Sequence, residues 1–128
     1  MTASGPQERM VLVVDDDREL RETIQSVLEE SGFAVVTATN GEEALAYLRR
    51  APHPRVILLD LSMPVMDGIT FREEQQKDAA LASIPVIVFS ASTAVAEKVR
   101  HLAVDGVLRK PIRIDHLLGA LRPFCSPT

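Results

Sequence analysis

Five apolar runs, each bounded by polar or turn residues, recur along the chain: Met10 to Val14, Ala34 to Val36, Val56 to Leu59, Val86 to Phe89 and Gly106 to Leu108. Four of them are rich in valine and isoleucine and lack a clean alternation of apolar and polar positions. A strand with one wet face alternates, whereas a strand covered on both faces reads as a continuous apolar run. The pattern therefore predicts interior strands of a parallel sheet.

Helical spacing fills the intervals. Leu20, Ile24, Val27 and Leu28 fall at i, i+4, i+7 and i+8, with Gly32 as a stop. Asn40-Gly41-Glu42-Glu43 resembles a capping box ahead of Ala44, Leu45 and Leu48. Val95, Val99, Leu102 and Ala103 repeat the first pattern, and Ile114, Leu117, Leu118 and Leu121 fall at i, i+3, i+4 and i+7. The stretch from Ile69 to Ala82 predicts a helix with a weak apolar face. Strand followed by helix, five times over, implies right-handed crossovers and an α/β fold, a doubly wound parallel sheet with helices on both faces. Ligands of such sheets sit beyond the carboxyl ends of the strands, where the strand order reverses.

The residues at those ends carry the chemistry. The first run is followed by Asp15-Asp16-Asp17, the third by Asp60, the fourth by Ser90, and the fifth leads into Lys110-Pro111. Taken singly, each has an ordinary role: Asp17 as a cap for the first helix, Asp60 as a solvated strand terminus, Ser90 as a turn residue, Lys110 as a surface charge. The combination is more demanding. Carboxylates brought together from two strand ends raise one another's pKa unless a cation neutralises them. An oxygen-only cluster with open positions suits Mg2+. A lysine and a hydroxyl nearby are the groups that surround a transferring phosphoryl. Together they read as a magnesium-dependent phosphoryl site with a carboxylate nucleophile. After Asp60, Pro64 restricts Met63 to extended backbone and Asp67-Gly68 offers a turn before the next helix.

Composition narrows the function. The 128 residues argue for one domain, since domains typically run to about 100 to 200 residues. The net charge of -4 is unevenly placed: residues 1–78 hold 15 acidic and 8 basic side chains, residues 79–128 hold 3 and 6. Nucleic-acid binding calls for a basic excess, so it is not expected. Neither G-x-G-x-x-G nor G-x-x-x-x-G-K-S/T occurs, which argues against dinucleotide and P-loop sites. The single cysteine, Cys125, excludes an internal disulfide and suits a reducing cytoplasm; His53, His101 and His116 are scattered without ligand spacing. The first residues lack the apolar core of a signal peptide, and no run approaches a membrane span. We expect a disordered tail at 1–8, a domain at 9–124 and a short tail at 125–128.

The segments Val11 to Asp17, Val56 to Gly68, Pro85 to Ala91 and Lys110-Pro111 resemble, in order and spacing, the receiver domain of two-component response regulators. The resemblance covers residues 9 to 124 and implies a flavodoxin-like sheet of strand order 2-1-3-4-5 with five helices. It also implies that Asp60 is the phosphoacceptor, taking a phosphoryl group from a phosphohistidine on a histidine kinase or phosphotransfer protein. Asp15, Asp16, Asp60 and the backbone carbonyl of Ser62 would hold Mg2+, Asp15 largely through water. Ser90 and Lys110 would contact phosphoryl oxygens, the Lys110-Pro111 bond would be cis, and Ser62 and Ser92 would influence acyl phosphate lifetime. The protein would catalyse its own aspartyl phosphorylation and dephosphorylation.

Two departures stand out. Val107 occupies the position, three residues before the lysine, where many receivers carry a switching aromatic. The last helix starts after Arg113 without a good cap, although Asp115 in its first turn is favourable. Downstream signalling is expected through a face formed by helix four, strand five and helix five. The basic residues Lys98, Arg100, Arg109, Arg113 and Arg122 there point to a partner with an acidic surface. With nothing but a short tail after the last helix, the expectation is a stand-alone receiver, or else a receiver cut from a larger regulator or hybrid kinase. A haloacid-dehalogenase-like phosphatase would need D-x-D-x-T/V after its first strand, where Glu19 breaks the match. A non-phosphorylated pseudo-receiver would usually have lost one of Asp16, Asp60, Ser90 and Lys110.

Overall fold

Strands β1 (Met10–Val14), β3 (Val56–Asp60) and β4 (Val86–Ser90) are buried at every position, as continuous apolar runs require. The computed structural model describes residues 9–50, 52–61, 68–91 and 104–125. These strands form the middle of a five-stranded parallel sheet in the order β2-β1-β3-β4-β5, with β2 (Ala34–Ala38) and β5 (Gly106–Arg109) at its edges. The chain leaves β1 for β2 on one side and then crosses to β3 on the other. The order therefore reverses between β1 and β3, and their carboxyl ends flank the crevice.

Successive strand residues feed opposite faces, and the core divides accordingly. On one face Leu12, Val14, Ile57, Leu59, Val86 and Val88 meet Ala44, Leu45 and Leu48 of α2 (Gly41–Arg50) and Phe71 of α3 (Gly68–Lys77). On the other, Val11, Val13, Leu58, Ile87 and Phe89 meet Ile24 and Leu28 of α1 (Arg18–Glu30) and Leu117 and Leu121 of α4 (Ile114–Leu121). The described residues hold four helices, α4 being the fifth of those predicted; the segment predicted helical around Val95 to Ala103 lies outside them.

Local chemistry sets the helix limits. Asp17 caps α1, its carboxylate accepting from Leu20 N at 3.2 Å. At the other end Gly32 takes φ 93°, with Gly32 N bonding Glu29 O and Phe33 N bonding Leu28 O, a Schellman closure that needs the left-handed residue. The Asn40 box forms: Asn40 Oδ1 accepts from Glu43 N at 2.8 Å, and Glu43 reaches back to Thr39 N at 2.6 Å.

Helix α3 stops at Lys77, short of the predicted Ala82. Asp78 turns the chain by accepting from Ala80 N. The buried Gln75 donates to the carbonyls of both Leu81 and Ile84, at 2.9 and 3.0 Å, and accepts from the buried Arg72 at 2.8 Å. These polar residues face inward, which is why the apolar stripe looks weak. Helix α4 has no side-chain cap, and Arg113 instead pairs with Asp115. Its first residue, Ile114, is 55% exposed despite sitting on the predicted apolar stripe, because helical Cβ atoms lean towards the N-terminus and carry a first-turn side chain past the helix end. Cys125, assigned by sequence to the tail, is fully buried in the second core, and its N–H closes on Leu121 O. The Lys110-Pro111 bond is cis, as expected.

Candidate functional site

At the crevice, the register pairs Val14 with Leu59, so Asp15 and Asp60 emerge side by side. Asp15 is completely buried. Its Oδ1 accepts from Asp17 N at 2.9 Å, its N–H reaches Ala38 O at 3.1 Å, and its carbonyl accepts from the Arg21 guanidinium at 2.8 Å. Asp15 Oδ2 is buried with no hydrogen-bond partner. Asp60 is buried as well, Asp16 is exposed, and carboxylate oxygens of the three lie within 4.8 Å of one another.

This arrangement has an electrostatic cost. Burial pushes the Asp15 carboxyl up to about 7; the Asp17 N–H opposes the rise, the neighbouring Asp60 carboxyl adds to it, and Lys110 lowers it. The donors are all oxygen, and a buried carboxylate oxygen lacks a partner. Those features fit a hard divalent cation such as Mg2+.

Lys110 approaches from β5. Its Nζ lies 3.5 Å from Asp60 Oδ1 and 5.3 Å from the centroid of the Phe89 ring. Lys110 N bonds Ser90 O at 3.1 Å, which fixes the β5 exit against the end of β4. Ser90 is itself buried at that end, opposite Arg109. Asp15, Asp16, Asp60 and Lys110 are thus brought together, with Ser90 one strand away; Ser62 and Ser92 lie outside the described residues. Sequence reasoning missed two contributors, Arg21 and Phe89. Arg21 gave no signal, and Phe89 read as ordinary core, although its place next to Ser90 put it at a functional strand end.

Residues 11–122 match the model of the response regulator receiver domain. The chain belongs to that family. Among its relatives, Protein PilG of Pseudomonas aeruginosa is 34% identical over 114 residues, covering 88% of this chain and 84% of PilG. A probable transcriptional regulator, ycf27 of Porphyridium aerugineum, is 31% identical over 118 residues, covering 91% of this chain and 48% of its own. This receiver therefore spans about half the length of the ycf27-type relatives it matches. Among solved structures, a response regulator receiver protein from Pseudomonas putida superposes with a TM-score of 0.83 at 32% identity, covering 89% of this chain and 95% of that one. The chemotaxis response regulator CheY4 of Vibrio cholerae gives 0.81 at 31%, covering 90% and 97%.

Beside the receiver's acidic crevice, an open groove of about 380 Å³ runs along β5 and its exit. Its lining combines Arg109, Lys110, Arg113 and His116 with the apolar Val107 and Ile112. Val107, at the position of the usual aromatic, is 37% exposed. None of the described helices is long and apolar enough to cross a membrane.

Proposed function

We propose that this receiver takes a phosphoryl group from a phosphohistidine onto Asp60 and signals by the change this makes to its surface. The carrying observation is the cluster of Asp15, Asp16 and Asp60 with Lys110 beside it, at the point where the strand order reverses. An Asp60 carboxylate oxygen attacks phosphorus as the P–N bond to the donor imidazole breaks. The departing nitrogen keeps the bond's electron pair and takes up a proton, and an acyl phosphate forms on Asp60. The transition state is loose, so catalysis rests on alignment and charge neutralisation. Mg2+, held by Asp15, Asp16, Asp60 and the Ser62 carbonyl, would neutralise charge on the phosphoryl oxygens. Lys110 compensates charge on another oxygen, and the Ser90 hydroxyl donates to the phosphoryl group. Hydrolysis of the acyl phosphate returns the receiver to its resting form.

The donor is a histidine kinase or histidine phosphotransfer protein, and the reaction belongs in the cytoplasm. The downstream target is a protein that docks on the face formed by β5 and α4, the part of the expected helix four, strand five and helix five surface that lies within the described residues. Arg109, Arg113 and His116 around the groove favour an acidic target surface. The receiver acts alone or as one segment of a longer regulator.

Labelling by a small phosphodonor, with and without Mg2+, tests the reading. Wild type should label only with Mg2+, and Asp60→Asn should not label. Labelling that survives the substitution removes Asp60 as the acceptor; loss with Asp15→Asn alone points to phosphatase-like chemistry on β1.

A further inference from the structure

The ammonium of Lys110 is bracketed by two groups of different character. On one side is the Asp60 carboxylate at 3.5 Å, and on the other the Phe89 ring, its centroid at 5.3 Å. We propose that Phe89 is a positioning residue for Lys110, its ring face holding the ammonium within reach of Asp60 through a cation–π contact.

The sheet register builds this arrangement. Phe89 on β4 pairs with Asp60 on β3 and with Leu108 on β5. Lys110, two residues beyond Leu108, continues the alternation on the side where Leu108 packs against the second core, to which Phe89 belongs. The ring is fully buried and cannot swing away, while a quarter of the Lys110 side chain remains exposed. Nζ lies inside the range of about 6 Å over which an aromatic face attracts a cation.

A flexible four-carbon stem samples many positions, and one carboxylate at 3.5 Å confines it weakly. The carboxylate partner also changes in the reaction: once Asp60 carries a phosphoryl group, its own negative charge is gone. A ring quadrupole attracts the ammonium without neutralising it. The full positive charge thus stays available to phosphoryl oxygens, and the lysine has one partner that is the same before and after transfer. A second carboxylate in the place of Phe89 would hold Lys110 but cancel its charge, and an aliphatic side chain would fill the core without holding it. The placement of Lys110 stands by itself; its catalytic consequence rests on Asp60 being the phosphoacceptor.

Fluorinated phenylalanines at position 89 keep the ring's shape while draining charge from its face, so packing and electrostatics separate. Two rates are read across the series: acylation of Lys110 by an amine-reactive ester, followed by peptide mapping, and Mg2+-dependent labelling by acetyl phosphate. With increasing fluorination, acylation should rise and labelling fall, each by about three- to tenfold, with thermal stability unchanged. Phe89→Leu should match the most fluorinated ring. A flat acylation rate across the series overturns the proposal. So does flat labelling in a wild type that labels. If wild type does not label at all, the phosphoacceptor reading fails, and the acylation series still decides where Phe89 holds Lys110.

Discussion

Replacing Asp15 by asparagine should stabilise the metal-free protein at neutral and alkaline pH. Asp15 has an ordinary carboxyl pKa of 3.8 when unfolded and about 7 when folded, chiefly because it is buried. Between those values the folded chain holds a proton that the unfolded chain has released. Stability therefore falls as pH rises through this window and levels off above it. At about 1.4 kcal/mol per pH unit, the full cost of ionising Asp15 comes to about 4 kcal/mol. The effective dielectric at buried protein sites is well above that of a dry interior, which reduces this to about 2 to 4 kcal/mol. Asparagine never ionises, its oxygen can still accept from Asp17 N, and its amide replaces the unpartnered Oδ2 with a donor facing Asp60. Urea unfolding in EDTA from about pH 4 to pH 8 should show Asp15→Asn gaining on wild type by that amount, with no further gain at higher pH. Saturating Mg2+ should narrow the gap at alkaline pH by stabilising wild type more than the variant, which keeps Asp16 and Asp60 but has lost one carboxylate. A gap that is constant with pH, or an asparagine variant less stable in EDTA above pH 7, would refute the reasoning.

Gly119, within α4 and with open space where a Cβ would stand, should gain about 0.5 to 1 kcal/mol on substitution by alanine in thermal unfolding. Gly32→Ala should have the opposite sign and cost about 1 kcal/mol or more, since the position has φ 93° and an added Cβ would stand 2.8 Å from the Arg9 guanidinium. Gln75→Ala should cost about 2 to 4 kcal/mol in urea unfolding, because it strips the Leu81 and Ile84 carbonyls and removes an acceptor from buried Arg72. The metal-dependent labelling rate of that variant, measured well below its melting point, should stay at the wild-type value.

The sheet was legible because β1, β3 and β4 are covered on both faces, and continuous valine- and isoleucine-rich runs have few other homes. The convergence of Asp15, Asp16 and Asp60 followed from topology, since parallel strands on either side of a reversal must bring their ends together. What escaped the pattern depended on where individual side chains point and what they meet, which residue type and spacing do not give. Gln75 and Arg72 are polar by type yet buried, so the stretch from Ile69 to Ala82 shows only a weak apolar face and the end of α3 at Lys77 is not visible in it. Ile114 is apolar and in phase, yet in the first turn its side chain extends past the helix end and stays more than half exposed. Phe89 is indistinguishable by type from any core phenylalanine, and only the approach of Lys110 gives its ring a second role.

Cys125 gives the chain a reporter of its own motion. It is the one thiol in the sequence, it is buried, and its backbone is tied to Leu121 at the end of α4. A bulky thiol reagent can reach it only when that end of the helix lifts from the sheet. The labelling rate below the melting transition therefore counts helix openings, with no probe to engineer and no competing cysteine to remove. Because α4 borders the groove around Arg109 and His116, the same measurement would register a partner seated there as a slower clock.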